Sequence, residues 1–125
     1  MKMNQYTVPV ADFAKSVAFY EALGLRLIVS ARGEYARFEV PGDLSTLSLS
    51  LSKEPVPASG LIYFEVDDVD ETIAILKDCG IAVDEEPSDK PYLWREAKLR
   101  DPTGNRICVY HAGENRRFPP WRISG

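Results

Sequence analysis

An internal repeat constrains this chain more than any single motif, because each copy of a repeat must form a similar structural unit. Residues 6–25 align with residues 62–81 at a constant offset of 56 residues. The pairs aligned at this offset include Val10 with Val66, Asp12 with Asp68, Ala18 with Ala74 and Gly24 with Gly80. The sequence therefore predicts two modules of similar structure.

Each copy predicts the same order of elements. A short strand, at residues 5–10 and again at 61–66, precedes an aspartate that can cap a helix by accepting from free backbone N–H groups. The following segment carries apolar residues at helical spacing and stops at a glycine, which takes the left-handed conformation without steric cost. The apolar positions are Phe13, Val17 and Tyr20 in one copy and Val69, Ile73 and Leu76 in the other.

Further strands follow the helix in both copies. Residues 36–38 align with 97–99, now 61 residues apart, and alternating strand patterns occupy residues 47–51 and 107–110. Residues 53–60 have the composition of a linker. We therefore expect one domain over residues 1–125. Its module one spans about residues 3–54, its module two about 60–112, and a tail covers 113–125.

Composition narrows the class of protein. Hydrophobic residues make up 45% of the chain and charged residues 27%, which is typical of a globular protein. The net charge of −4 argues against a nucleic-acid partner, and no apolar run approaches the roughly 20 residues of a membrane helix. Cys79 and Cys108 match no zinc spacing, and no signal peptide is evident. We expect a cytoplasmic protein with free thiols.

Several motifs resemble those of the vicinal oxygen chelate superfamily, which comprises glyoxalases, bleomycin-resistance proteins and dioxygenases. They are VAD at residues 10–12, SVAFYE at 16–21, LGL at 23–25, YFEVDDVD at 63–70 and DPTGN at 101–105. WREA at 94–97 and HAGENRRFPPWR at 111–122 resemble a subgroup described only as glyoxalase/bleomycin-resistance-like. The resemblance implies an α+β fold with two tandem βαβββ modules. Their strands would form a curved mixed sheet around a cavity, with the helices outside. It also implies a homodimer that completes its cavities across the interface.

The metal site of the superfamily does not carry over with the motifs. Family enzymes hold one divalent metal with four side chains, from the first and last strand of each module. These positions fall on Gln5, Ser50 (or Ser48, depending on register), Leu61 and Cys108. Catalytic sites generally need three ligands drawn from His, carboxylates or Cys, and leucine cannot ligate. We expect no cofactor, which disfavours the metal-dependent glyoxalase and dioxygenase reactions; an improvised divalent-metal site is the alternative.

Alternation along the strands predicts which side chains face the cavity. Tyr6, Val8 and Val10 should meet the helices, which leaves Gln5 to face inward. The inward positions predicted elsewhere are Arg37, Glu39, Ser48 and Ser50 in module one, and Tyr63, Glu65, Trp94, Glu96, Lys98, Arg106, Cys108 and Tyr110 in module two. We predict ligand binding by Gln5, Tyr63, Trp94, Arg106, Cys108 and Tyr110. The alternative is a solvated sheet face whose charges pair across strands.

Three residues could carry chemistry. Glu65 or Glu96 could act as a general base if burial raises its pKa. Cys108 is either an ordinary small core residue or a reactive thiolate, for which Arg106 is the only cation nearby in sequence.

Three functions compete. The first is a metal-free protein that binds a small polar or aromatic molecule. The second is an enzyme, such as a lyase or isomerase acting on a small carbonyl compound or thiol adduct, or a dioxygenase-like enzyme. The third is an interaction module that docks through its tail. In that tail Phe118, Pro119, Pro120 and Trp121 predict a stiff extended segment, which would cover apolar surface on its own subunit or on a partner.

Overall fold

The chain repeats one strand–helix–three-strand unit in the computed structural model, which describes residues 1–54 and 59–124. The first copy consists of β1 (Gln5–Val10), α1 (Phe13–Ala22), β2 (Arg26–Ala31), β3 (Tyr35–Glu39) and β4 (Thr46–Leu51). The second consists of β5 (Leu61–Glu65), α2 (Val69–Asp78), β6 (Val83–Asp89), β7 (Arg95–Arg100) and β8 (Arg106–His111), followed by a short 3-10 turn at Gly113–Arg116. The predicted α+β class and tandem βαβββ order are confirmed. Residues 55–58 of the predicted linker lie outside the described residues.

Each module has its own four-stranded mixed sheet. The strand order is β1-β4-β3-β2 in the first sheet and β5-β8-β7-β6 in the second. In the first sheet β1 runs parallel to β4, whereas β3 pairs antiparallel with both β4 and β2. The first strand of each module thus lies beside the last strand of the same module, at one edge of the sheet.

The chain divides into two compact units that nearly match the modules. They comprise Met1–Leu61 with Arg100–Arg106, and Ile62–Leu99 with Ile107–Gly125. The tip of the hairpin between β7 and β8 belongs to the first unit, where its polar side chains form hydrogen bonds with Tyr20 and Pro9. The Tyr20 hydroxyl donates to Asp101 at 2.7 Å, and the Asn105 amide donates to the Pro9 carbonyl at 2.9 Å. Burial, together with the Asp101 carboxylate, raises the pKa of Tyr20.

The predicted helix caps are confirmed at both ends. The side chain of Asp12 accepts from the backbone of Lys15, and that of Asp68 accepts from the backbone of Glu71, each at 3.0 Å. Both helices then end in a Schellman turn, in which a left-handed glycine lets backbone N–H groups close on the last carbonyls. These glycines are Gly24 and Gly80, with φ angles of 107° and 82°.

The core of each unit follows the predicted alternation, with one exception. Val8 and Val10 of β1 are fully buried, but Tyr6 is 45% exposed, so the expectation that it meets the helices is wrong. β1 is an edge strand whose first three residues are all exposed. Alternation predicts which face of a strand is apolar, but it does not predict at which residue along the strand that face becomes buried. Neither helix in the described part of the chain has the length and apolar content needed to cross a membrane.

Candidate functional site

Four aromatic side chains of the second unit form one cluster, here called the aromatic cluster: Tyr63, Tyr92, Trp94 and Tyr110. Trp94 stacks on Tyr110 with 4.8 Å between ring centroids. Tyr63 meets Trp94 and Tyr110 edge to face at 6.1 and 5.6 Å, and Tyr92 meets Trp94 in the same way at 5.7 Å. Three of the four, all but Tyr92, are predicted ligand-binding residues that the structure brings together.

Two rings of the aromatic cluster, those of Tyr92 and Trp94, lie in the loop between β6 and β7. Leu93 lies between Tyr92 and Trp94 and has a φ of 67°, in the left-handed region that non-glycine residues seldom adopt. Its backbone N–H donates to the carbonyl of Lys90 at 3.0 Å, and the N–H of Lys90 donates to the carbonyl of Trp94 at 2.7 Å. This tight turn fixes the backbone on both sides of Leu93.

A pocket of about 330 Å³ lies over the aromatic cluster within the second unit. Its lining residues are Tyr63, Tyr92, Trp94, Glu96, Asn115, Arg116, Pro119 and Trp121. Half of these belong to the tail, for which the sequence predicts only a stiff aromatic segment of unknown target. The tail therefore covers part of the second unit of its own chain.

Glu96 is the buried charge of this pocket. Its side chain is only 3% exposed, and one carboxylate oxygen accepts the Tyr92 hydroxyl. The other oxygen accepts the Cys108 thiol at 3.3 Å and lies 3.9 Å from the Lys98 ammonium. The hydrogen bond to Glu96 raises the pKa of Tyr92 to about 12. The carboxylate is thus satisfied by protein donors on both oxygens.

Cys108 is a buried thiol. It is fully enclosed, and burial, followed by its hydrogen bond to Glu96, raises its pKa to about 12. Arg106, the cation considered as an activator, instead donates to the backbone carbonyl of Ser59 at 2.6 Å. These contacts favour the structural interpretation of Cys108 over a reactive thiolate, because the environment stabilises the protonated form.

Glu65 anchors the start of the tail. Its carboxylate accepts from the backbone N–H groups of Ala112 and Gly113 at 2.8 and 2.9 Å, and one of its oxygens lies 4.0 Å from Nε of Arg116. Burial raises the pKa of Glu65, but these two hydrogen bonds and the charges of His111 and Arg116 outweigh it and lower the pKa overall. This shift is the opposite of the one that a general base requires.

Gln5 lies in the first unit, within a polar network of module one. Its amide nitrogen donates to Ser48 at 2.9 Å, and its amide oxygen accepts from Thr46. Ser48 is buried, and its hydroxyl forms a hydrogen bond of 2.7 Å with the Tyr35 hydroxyl. The Tyr35 hydroxyl also accepts from the Arg37 guanidinium. Of the predicted ligand-binding residues, Gln5 and Arg106 belong to the first unit, while Tyr63, Trp94, Cys108 and Tyr110 belong to the second.

The residues at the family's metal positions do not fit a divalent cation. Leu61 has no donor atom, Ser50 offers only an exposed hydroxyl, Gln5 is engaged by Thr46 and Ser48, and Cys108 is buried and donates to Glu96. Nowhere in residues 1–54 and 59–124 do three or more His, Cys, Asp or Glu side chains group in a way that could hold a metal.

Solved structures share this fold. A lactoylglutathione lyase from Agrobacterium tumefaciens superimposes with a TM-score of 0.74 at 22% identity, over 90% of this chain and 94% of that one. A glyoxalase/bleomycin resistance protein/dioxygenase from Nocardioides superimposes with a TM-score of 0.76 at 21% identity, over 99% of this chain and 90% of that one. At these identities the likeness shows the fold alone.

Sequence comparison is more specific. The uncharacterised protein YraH of Bacillus subtilis (strain 168) is 34% identical to this chain over an alignment that covers 88% of this chain and 98% of that protein. The model of one protein family matches residues 2–109, which is most of the chain. With the tandem βαβββ modules in place, the chain belongs to the Glyoxalase/Bleomycin resistance protein/Dioxygenase superfamily.

Proposed function

We propose that this protein binds a small aromatic molecule in the pocket of its second unit, and that it does so without a metal. The observation that carries the proposal is the aromatic wall of this pocket of about 330 Å³, which Tyr63, Tyr92, Trp94 and Trp121 line. Pockets for small ligands are commonly built from a few aromatic faces and a small number of polar groups that fix orientation. The volume suits a compound of one or two rings.

The aromatic wall is ordered before any ligand arrives. Trp94 is stacked on Tyr110, and Tyr63 packs edge-on against both rings, so each restricts the rotamers of the others. A ligand that meets rings already in place loses less free energy to the ordering of side chains. Tyr63 remains 49% exposed and is therefore accessible to a ligand.

The chain offers a direct reporter of binding. It contains two tryptophans, Trp94 and Trp121, and both line the pocket. We would record ¹⁵N–¹H spectra of the two indole N–H groups while adding phenylacetate, phenylacetamide or phenethylamine at millimolar concentrations. We expect at least one of these compounds to shift both indole signals in a saturable manner.

Two tyrosines of similar exposure make a matched pair for this experiment. Tyr63→Ala should weaken binding about fivefold or more, because a stacked aromatic contact contributes on the order of 1 kcal/mol. Tyr6→Ala removes a tyrosine that is 45% exposed in the first unit and should leave binding unchanged. Indole signals that none of the three compounds moves would contradict the proposed function.

An enzymatic role is the second candidate, and Glu96 is the observation that favours it. This carboxylate lines the pocket and lies beside two proton donors, the Tyr92 hydroxyl and the Cys108 thiol. It ranks second because both of its oxygens are already engaged. Turnover of a small carbonyl compound or thiol adduct that Glu96→Gln abolishes, with the fold intact, would establish a lyase or isomerase of this kind.

We further propose that the protein is a cytoplasmic homodimer. Large apolar side chains remain exposed in the tail, among them Phe118 at 55% and Trp121 at 58%. A second copy would cover surface of this kind. Light scattering during gel filtration should then give about twice the chain mass of 14.0 kDa, and a mass of one chain at all concentrations would contradict the dimer.

A further inference from the structure

Two charged side chains line the pocket, and they differ in what they can offer a ligand. Glu96 is 3% exposed, and its oxygens are taken by Tyr92 and Cys108, with Lys98 close by. With 3% exposure, little of this carboxylate is accessible to an incoming cation. The negative charge of Glu96 is therefore compensated by neighbouring groups of the protein itself.

Arg116 is in the opposite state. Its side chain is 51% exposed, and its one ion-pair contact with the described residues is from Nε to Glu65 at 4.0 Å. In the described part of the chain no hydrogen bond engages its two terminal nitrogens. Glu65 takes its own short hydrogen bonds from the backbone of Ala112 and Gly113, so it does not occupy the guanidinium. The terminal nitrogens of Arg116 thus remain free to bind a ligand.

We propose that the occupant of this pocket is an aromatic carboxylate, whose ring lies among Tyr63, Trp94 and Trp121 and whose anion binds Arg116. This inference rests on the proposed function and names the class of its ligand. A planar guanidinium matches a carboxylate with two parallel hydrogen bonds, and the neighbouring Asn115 side chain adds an amide donor. An organic cation would meet the positive Arg116 and find Glu96 enclosed.

The three phenyl compounds separate these possibilities because they share a ring and differ in charge. Phenylacetate should bind about tenfold more tightly than the neutral phenylacetamide, since hydrogen bonds between two charged groups are stronger than those to a neutral amide even when solvent screens part of the attraction. Phenethylamine should bind most weakly. Dissociation constants follow from the indole shifts of Trp94 and Trp121.

Variants of two adjacent arginines provide the control. Arg116→Gln should reduce phenylacetate affinity to that of phenylacetamide and leave phenylacetamide binding unchanged, which also shows that the pocket is intact. Arg117→Gln removes an equal charge from a residue that packs on the Phe118 ring at 5.3 Å and should change neither affinity. Arg116→Lys should recover part of the lost affinity, because an ammonium supplies the charge without the planar pair of donors.

The outcomes are distinguishable from those of the proposed function. If phenylacetamide or phenethylamine binds as tightly as phenylacetate, or if Arg116→Gln leaves phenylacetate affinity unchanged, the assignment of an anion is overturned while binding in the pocket stands. If none of the three compounds shifts the indole signals, the proposed function is contradicted and the ligand class with it.

Discussion

Cys79 and Cys108 are both thiols, and their surroundings give them opposite reactivity. Cys79 is exposed at the end of α2, whereas Cys108 is fully buried and its pKa is raised to about 12. Alkylation requires an accessible thiolate. At pH 8, iodoacetamide should therefore modify Cys79 of the folded protein and leave Cys108 untouched, which mass spectrometry of the peptides can measure.

The control for the alkylation experiment is Cys79→Ser. This folded variant should take up no label, and in denaturant it should take up one. Rapid labelling of Cys108 in the folded variant would show an accessible thiolate and would restore the interpretation of this residue as a nucleophile.

Glu65 makes a pH-dependent contribution to stability. Its folded pKa is lowered by the backbone N–H groups of Ala112 and Gly113 and by nearby positive charge, which together outweigh burial. A carboxyl group with a lowered folded pKa stabilises the protein above its unfolded pKa and loses that contribution as pH falls through the folded value. Glu65→Gln should thus lower the free energy of unfolding by about 1 kcal/mol at pH 7.

The same comparison at low pH provides the check on Glu65. As pH falls below the ordinary glutamate pKa of 4.5 the difference between the two proteins should shrink, because the wild-type carboxyl is protonated first in the unfolded state and then, below its lowered folded pKa, in the folded state as well. Urea unfolding at several pH values measures it. A difference that stays constant down to pH 3 would mean that the charge of Glu65 contributes nothing and that only its shape matters.

Individual residues of the site are predictable where they lie in a strand or, like Trp94, directly before one, whereas the other loop and tail residues are not. Alternation along β7 and β8 correctly predicts Glu96 and Cys108 on one face, where the thiol donates to the carboxylate. Tyr92 lies in a loop turn set by the left-handed Leu93, which no periodicity describes. Arg116 lies in a 3-10 turn of the tail, and its direction depends on where Glu65 holds the backbone. Loop and tail positions depend on tertiary contacts that sequence spacing does not encode.

At the scale of elements, the glycine at the end of a helix contributes to stability through its left-handed backbone conformation. Gly80 has a φ of 82°, and a methyl group added there would meet nothing within 4 Å, so any cost of Gly80→Ala comes from the backbone alone. We expect a loss of about 1 kcal/mol in the free energy of unfolding, since alanine in the left-handed region costs about that much. Urea denaturation provides the measurement.

Gly60 is the matched control for Gly80. A methyl group there would also find open space, and its φ lies outside the left-handed region. Gly60→Ala should leave stability unchanged or raise it by a few tenths of a kcal/mol, because alanine restricts the unfolded chain. If both variants lost the same free energy of unfolding, the left-handed conformation of Gly80 would not be the cause of the loss in Gly80→Ala.

The helices and most of the strands are predictable from the sequence, whereas the edge strand β6 is not. Caps and glycine stops define α1 and α2, and apolar alternation defines β1, β4, β5 and β8 to within a residue or so. β6, with the sequence VDEEPSD, has neither apolar alternation nor strong strand propensity, and it contains a proline. It forms a strand because it lies at the edge of its sheet, where proline is tolerated and β7 supplies the pairing.

At the scale of the whole molecule, the tail is part of the fold because Pro119 and Trp121 line the pocket beside Tyr63 and Trp94. Removing residues 114–125 should uncover the aromatic cluster and cost about 1–3 kcal/mol of stability. A hydrophobic fluorescent dye should then bind the truncated protein, and thermal unfolding should begin at a lower temperature.

A shorter truncation is the control for the tail. Removing only residues 123–125 takes away Ile123, which is 90% exposed, and leaves every lining residue in place. This variant should match the full chain in both dye binding and stability. A 114–125 deletion that is as stable and as free of dye as the full chain would show that the tail does not cover the aromatic cluster in solution.

The two modules share the same order of strands and helix, but their strands have different side chains. This difference matters most for metal binding. The family's four ligand positions are drawn from both modules, and here they hold an amide, a hydroxyl, a leucine and a buried thiol. Such a set cannot supply the three ligands from His, carboxylates or Cys that catalytic metal sites generally require. We expect purified protein exposed to zinc, nickel, cobalt, manganese or iron(II), then freed of loose ions, to retain far less than one equivalent by elemental analysis. Close to one equivalent of a single metal, lost in Gln5→Ala but kept in Tyr6→Ala, would show that the module-one network is a ligand set after all and would turn the search from ligand binding to metal-dependent catalysis.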